Sequence, residues 1–441
     1  MTPNRLKIGL QLSLGALTAL LVLYLIYQLP LVQHRLAWRV DLLLTRLRVA
    51  MDPVGVLPTP GVQDNLDTDQ VIAPSSTPPA LTPSAATGGQ DTAGQNPEIR
   101  PSAIPFLSPS ASPTLAPSPA PLPMPSQVNL PAPAYEREDW NNCGPAALAL
   151  ALRFYGWKGD QYAISDQVKP VRADRNVNID ELLQFVLQNV PTLRAQFRVG
   201  GDPDLLRRAV TQGIPVLVEV SFRLAESFWY QDDLWAGHYL FVTGYDDTPQ
   251  EFTVQDVFVG PDRRASYANL DSAWQSFNRA YLVIYRPEQE EAVKALLGSS
   301  WDADRNRQLA LEKALAETQK DPKNALAWFN LGSNLVYFDR YVEAAKAYDT
   351  ARKLGLPQRM LRYQFGPFLA YFHAGRNDDL LALTEYALKV TPNSEEALLW
   401  RGWAIYRAGD RNAALELFRQ ALKAHPGYRD AQYALEFVNN N

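Results

Sequence analysis

The chain has 441 residues, 46% of them hydrophobic, with 42 Lys and Arg against 47 Asp and Glu for a net charge of −5. That length exceeds a single core, and the slightly acidic balance gives no general pull toward nucleic acid. One cysteine excludes an intramolecular disulfide and a paired-cysteine zinc site, and the four histidines, His34, His238, His373 and His425, are scattered without metal-ligand spacing.

Residues 1–30 come first. Within them, IGLQLSLGALTALLVLYLIY (8–27) carries no charge and is long enough to cross a bilayer as one helix. No small-x-small cleavage site follows, so the run reads as a transmembrane anchor rather than a signal peptide. Residues 31–52 place apolar side chains at helical spacing, as an amphipathic juxtamembrane helix would. Arg35, Arg39, Arg46 and Arg48 pull this side toward the cytoplasm. Residues 53–134 argue the other way. They hold more than half of the 34 prolines, mixed with Ser, Thr and Ala. Such a composition buries too little apolar surface to order itself. It reads as a disordered stalk that spaces a folded head from the cell membrane, and stalks of this kind favour a single-pass protein with extracytoplasmic domains.

Residues 135–287 are read as an α+β domain. Helices are expected from Cys143 to Gly156, over IDELLQFVLQNV (179–190) and over DPDLLRRAVTQG (202–213). Strand patterns follow at 214–222, 238–246, 251–257 and 279–287, with a short helix at 269–278. Early helices followed by β-runs with short connections indicate helices on an antiparallel sheet. Residues 302–441 repeat: Pro322, Pro357, Pro392 and Pro426 recur at intervals of 34 or 35, with paired helical patterns between them. Small residues alternate with aromatics (Gly332 and Tyr348, Gly402 and Phe418), so helices approach closely around filled gaps. This resembles a tetratricopeptide solenoid with a leading helix at 303–319 and a trailing one at 428–438. The middle unit is degenerate, with Leu380 and Thr384 where Ala and an aromatic are usual.

The lone cysteine sits in DWNNCGPAALALALRFYG. Asn141 and Asn142 suit a helix cap and Pro145 suits the first turn, and peptide dipoles at a helix N-terminus stabilise a thiolate. The apolar helix behind Cys143 must be buried, which holds the thiol rigidly. The only histidine of this domain, His238, opens a strand, and Asp256 lies in the next one. A carboxylate orients an imidazole, and the imidazole serves a thiol. The competing reading is a small buried hydrophobe beside an inert histidine.

Together NNCGPAALALALRFYG, AGHYLFVTGYDD and TVQDVFVGPDRR resemble the papain-like cysteine peptidases of the bacteriocin-processing (double-glycine leader peptidase) family and its stand-alone relatives, over about 135–286. The resemblance implies Cys143 as nucleophile, His238 as general base and acid, and Asp256 as the group that orients the imidazole. It also implies a glutamine shortly before the cysteine to hold the oxyanion. Here Glu138 is the nearest isostere, and an ionised carboxylate repels an oxyanion. The expected function is a membrane-anchored cysteine peptidase acting on a peptide or protein, with the repeats binding substrate or a protein partner in their concave groove. The alternatives are a non-catalytic peptide-binding scaffold on the same fold and, last, acyl transfer to an amine. No cofactor, metal or nucleic acid is expected. Asp232 and Asp233 read as a solvated loop, and Trp229 and Trp235 as pocket lining or packing.

Overall fold

The computed structural model describes residues 3–61, 71, 124–172 and 176–440; for residues 3–12, 30, 31 and 34 it describes the backbone alone. Two helices lead the chain, α1 (Pro3–Tyr27) and α2 (Pro30–Met51). The expected anchor lies in α1, and its first residues, 8–12, fall outside the described side chains. Among the described residues no helix is long and apolar enough to cross a membrane.

The α+β domain runs through β1 (Gln127–Asn129), α3 (Cys143–Phe154), α4 (Gln161–Val168), α5 (Ile179–Asn189), β2 (Arg194–Arg198), α6 (Pro203–Thr211), β3 (Val216–Arg223), β4 (Trp235–Asp246), β5 (Glu251–Asp256), β6 (Gly260–Ser266), α7 (Tyr267–Gln275) and β7 (Tyr281–Tyr285). The strands form one seven-stranded sheet in the order β2-β7-β3-β4-β5-β6, with β1 paired to β4. Every described pairing is antiparallel. The four expected strands and four expected helices are all present. Sequence patterning missed β1, β2, β6 and α4, which are short or half-exposed and carry little periodic signal.

One face of the sheet is covered by α3 and α5, where Leu148, Leu150, Leu182, Phe241 and Leu282 share a core. As its composition requires, α3 is buried from Gly144 to Leu152. On the other face α6 and α7, with α8 (Glu290–Leu297), enclose Leu206, Val218, Val242 and Trp274.

The rest is helical: α9 (Ala303–Lys320), α10 (Ala325–Tyr337), α11 (Tyr341–Leu354), α12 (Gly366–His373), α13 (Asn377–Val390), α14 (Glu395–Arg407), α15 (Arg411–Ala424) and α16 (Arg429–Asn440). Polar caps recur, with the Asn324 and Ser394 side chains accepting from the third N–H beyond each. Close helix approach falls where the small residues stand. A Cβ on Gly332 would come within 2.8 Å of the Tyr348 ring, and one on Gly402 within 2.4 Å of Phe418.

The repeats do not hang free. Asn306 on α9 exchanges two hydrogen bonds with the backbone of Val199, and Lys313 donates to the Gly201 carbonyl. On α10, Asn334 pairs with Asn278 through both amides, and Asn330 donates to the Gln275 carbonyl. Glu396 on α14 accepts from Asn178 at 3.4 Å. Helix α10, and α14 through Glu396, therefore contact the α+β domain.

The expected stalk also needs correction at both ends, since its residues 127–129 form β1 of the sheet. Residues 53–61 are packed on the repeats: Leu57 is 7% exposed, and the Pro58 carbonyl accepts from Arg352. The expected juxtamembrane helix, α2, buries Ala37, Asp41, Leu42, Thr45 and Val49. It is tied to the head through Arg46 to the Ser227 carbonyl and through Asp52 to Lys389. The remainder of the Pro-rich segment, apart from Val71, lies outside the described residues up to residue 123.

Candidate active site

Three elements converge. Cys143 is the first residue of α3, His238 lies near the start of β4, and Asp256 ends β5. In the β4–β5 ladder Leu240 stands opposite Asp256, two residues beyond His238 and on the same face. The His238 Nε2 lies 2.9 Å from Asp256 Oδ1, and both residues are buried. Asp256 Oδ1 also accepts the N–H groups of Phe258 and Val259 at 2.8 and 2.9 Å. These bonds fix the carboxylate, which in turn sets the ring, and the His238 partner hold keeps the Asp256 carboxyl below the usual carboxylate range despite burial. Phe222 packs on the imidazole at 5.1 Å.

The other side of the ring faces Cys143 and Glu138. The donor atoms of Glu138, Cys143 and His238 all lie within 4.8 Å of one another. Burial works against the His238 imidazolium. The hydrogen bond to Asp256, with the Cys143 sulfur and the Glu138 charge close by, outweighs it and raises the ring's pKa well above its ordinary value. A thiol, an imidazole and an orienting carboxylate in this order move a proton between sulfur and ring.

Glu138 stands where the oxyanion glutamine was expected. Its N–H donates to the Val257 carbonyl, its Oε2 lies 4.0 Å from His238 Nδ1, and that oxygen is buried without a hydrogen-bond partner. Burial pushes its carboxyl up to about 7, with Asp256 adding to the rise and His238, Arg137 and Lys169 opposing it. A substantial fraction is therefore neutral at physiological pH and has a proton to donate. The same cluster, Glu138 with Cys143 and His238, is the one place among the described residues where three such donors come close enough to hold a metal ion.

The loop that delivers Cys143 is organised by a residue that sequence reasoning missed. Gln161, on α4, is 1% exposed. Its Oε1 accepts from the Asp139 N–H and the Asn142 side chain, both at 2.8 Å. Its Nε2 donates to Glu136 and to the Arg137 carbonyl. It is thus engaged on both sides and serves the loop, not a substrate. Asn141 takes a left-handed φ of 53° and its carbonyl accepts from Lys169 at 2.6 Å. No spacing in the chain marks Gln161 or Lys169, because the short α4 was not legible.

Other expectations change. Asp232 is no solvated loop residue: its side chain is fully buried and accepts both Arg359 guanidinium nitrogens at 2.6 Å. Trp229 lies under that guanidinium at 4.1 Å and donates to Gln358. Trp235 stacks on Phe277 at 5.7 Å with Tyr363 edge-on, so both tryptophans pack rather than line an open pocket. Tyr363, from the repeats, also covers Gly237 beside the catalytic histidine candidate; a Cβ there would sit 3.1 Å from its ring.

Residues 123–286, which include all of these site residues on the α+β domain, match a family model described as Peptidase_C39 like family. No curated protein matches the chain. Among solved structures, a C39-like peptidase from Bacillus anthracis is 16% identical with a TM-score of 0.30, covering 36% of this chain and 98% of its own. Xylellain, a cysteine protease from Xylella fastidiosa, is 16% identical with a TM-score of 0.29, covering 37% and 87%. YrrB, described as a TPR protein with an unusual peptide-binding site, is 20% identical with a TM-score of 0.27, covering 33% and 72%.

Proposed function

We propose that this protein is a membrane-held cysteine peptidase in which Cys143 is the nucleophile, His238 the general base and acid, and Asp256 the residue that orients the ring. The observation that carries the reading is the His238 imidazole, hydrogen-bonded to Asp256 at 2.9 Å and within 4.8 Å of the Cys143 sulfur. The Cys143 thiolate attacks the scissile carbonyl carbon, forming a C–S bond and an oxyanion. The imidazolium gives its proton to the leaving amine as the C–N bond breaks, leaving a thioester. His238 then takes a proton from water, the hydroxide adds, and the C–S bond breaks to release the acid and the thiolate. The oxyanion is met by the first N–H groups of α3, which have no partner within the helix, and by the protonated carboxyl of Glu138.

The apolar helix α1 supplies the membrane attachment, supported by its exposed Leu14, Leu17, Leu20 and Leu23, with the folded domains on the extracytoplasmic side. A non-catalytic peptide-binding protein is the second reading, favoured by a carboxylate at 138 in place of an amide. Because the chain has one cysteine, a thiol-directed probe tests both activity and topology. In the purified full chain, alkylation at pH 6 is expected to be about tenfold or more faster for wild type than for His238→Ala. Equal rates would rule out a thiolate–imidazolium pair. On intact cells, an impermeant version of the probe should label wild type and not Cys143→Ser; labelling only after lysis would reverse the topology.

A further inference from the structure

The groove between the second helices of the first two repeats, α11 and α13, already holds a peptide, and the peptide is this chain's own. Residues 53–61, Pro-Val-Gly-Val-Leu-Pro-Thr-Pro-Gly, run through it without helix or strand structure. Their polar contacts are made by the main chain. The Pro58 carbonyl accepts from Arg352 Nε at 2.9 Å and Nη2 at 2.7 Å, and the Gly61 N–H donates to Asp379 Oδ1 at 3.0 Å. Farther along, the Val71 carbonyl accepts from Arg340 at 2.6 Å. Side-chain reading is apolar: Leu57 and Val71 are buried in one cluster with Tyr348, Tyr371 and Leu380.

The groove is also built to stay satisfied without this segment. Arg352 pairs with Asp379 at 3.0 Å, Arg376 pairs with Asp379 and Asp349, and Tyr371 donates to Asp349. Removing the segment therefore leaves no unpaired buried charge, the usual large cost of vacating such a place. A site that reads main chain and apolar side chains, with its charges balanced internally, accepts other extended peptides of the same kind.

We propose that the α11–α13 groove is a binding site for extended, apolar, proline-containing peptide, and that residues 53–61 are its resident ligand, which a partner's segment must displace. The segment follows α2 directly, and Asp52 is paired with Lys389 at the groove's edge. The resident segment thereby clamps the membrane-proximal helix to the head. Tethering gives it a high effective concentration, so a peptide in trans competes only when the resident seat is weakened or the partner is abundant.

The test uses the full chain in detergent micelles and a fluorescein-labelled synthetic peptide spanning residues 53–61, read by anisotropy. Leu57→Asp in the protein places a carboxylate in an apolar seat and loosens the resident segment while leaving the groove intact. This variant is expected to bind the peptide about tenfold or more tighter than wild type. Peptides carrying Leu57→Asp or Gly61→Pro should bind that same protein about tenfold or more weaker than the parent peptide, the second because the N–H to Asp379 is gone. Gly61→Pro in the protein is the companion variant should Leu57→Asp fail to fold, with the same gain expected. Equal binding by wild-type and loosened protein, including none by either, overturns the proposal, as does equal binding of the three peptides. The readout is independent of Cys143, so it stands or falls apart from the peptidase reading.

Discussion

At the residue scale the unusual member of the site is Glu138. An amide at this position donates a hydrogen bond at any pH, whereas a carboxyl donates only while protonated. Burial holds the Glu138 proton up to about 7, against the attraction of His238, Arg137 and Lys169. The Asp256 hydrogen bond and the neighbouring Glu138 and Cys143 raise the His238 ring well above its ordinary value although burial opposes this. Peptidolysis should accordingly be present below pH 7 and decline as pH rises through it, and Glu138→Gln should carry activity to higher pH. A pH–rate profile unchanged by the substitution would remove Glu138 from the oxyanion site. Stability carries the same sign. The folded state binds a proton more tightly than the unfolded chain, whose glutamate titrates near 4.3, so the native protein loses stability from that pH upward and the penalty is complete above about 7. Glu138→Gln is therefore expected to be more stable than wild type at pH 8.5, by up to about 3 kcal/mol, with no such gain at pH 4. Denaturant melts at the two pH values measure this.

At the element scale, the middle repeat explains its own irregularity. Its first helix, α12, is only eight residues long, and the segment before it turns its side chains outward to the α+β domain. Gln358 accepts from Trp229, Arg359 grips Asp232, and Tyr363 packs on Trp235 and Gly237. These residues of the segment before α12 serve the interface instead of the stack. Thr384, which looked like a defect, is fully buried and bonds its hydroxyl back to the Leu380 carbonyl. Gly237 belongs to the same contact. A side chain there would come within 2.8 Å of Phe277 and 3.1 Å of Tyr363. Gly237→Val is expected to cost about 1–3 kcal/mol through overpacking and to slow Cys143 alkylation by shifting β4 and His238. Loss of stability without a change in alkylation would mean that the strand absorbs the strain elsewhere.

At the scale of the whole molecule, the head is one body built from both halves of the chain and clamped by its N-terminal segment. The Arg359–Asp232 pair is its most deeply buried inter-domain link, with both side chains almost completely excluded from solvent. Arginine holds the Asp232 carboxyl below its ordinary range although burial alone would raise it. Removing one partner of such a pair leaves an uncompensated charge, so Arg359→Ala is expected to cost about 3–5 kcal/mol, and Asp232→Ala in the same chain should recover part of that loss. Urea denaturation of the two single variants and the double variant measures it. Strictly additive losses would mean that the pair does not couple the domains.

Patterning in the sequence alone marked out the long apolar or periodic runs: the all-apolar α3, the apolar β3 and β4, and the paired C-terminal helices. It also singled out Cys143, the one cysteine of the chain, and named His238 and Asp256 as candidates beside it. Contacts between residues far apart in the chain left no local mark. Gln161 gathering the loop before Cys143, Asp232 buried under Arg359, α10 and α14 in contact with the α+β domain, and residues 53–61 seated between α11 and α13 were decided by tertiary structure. Each depends on a partner tens to hundreds of residues away, and burial of a polar or proline-rich stretch follows from what lies opposite it, which periodicity does not encode.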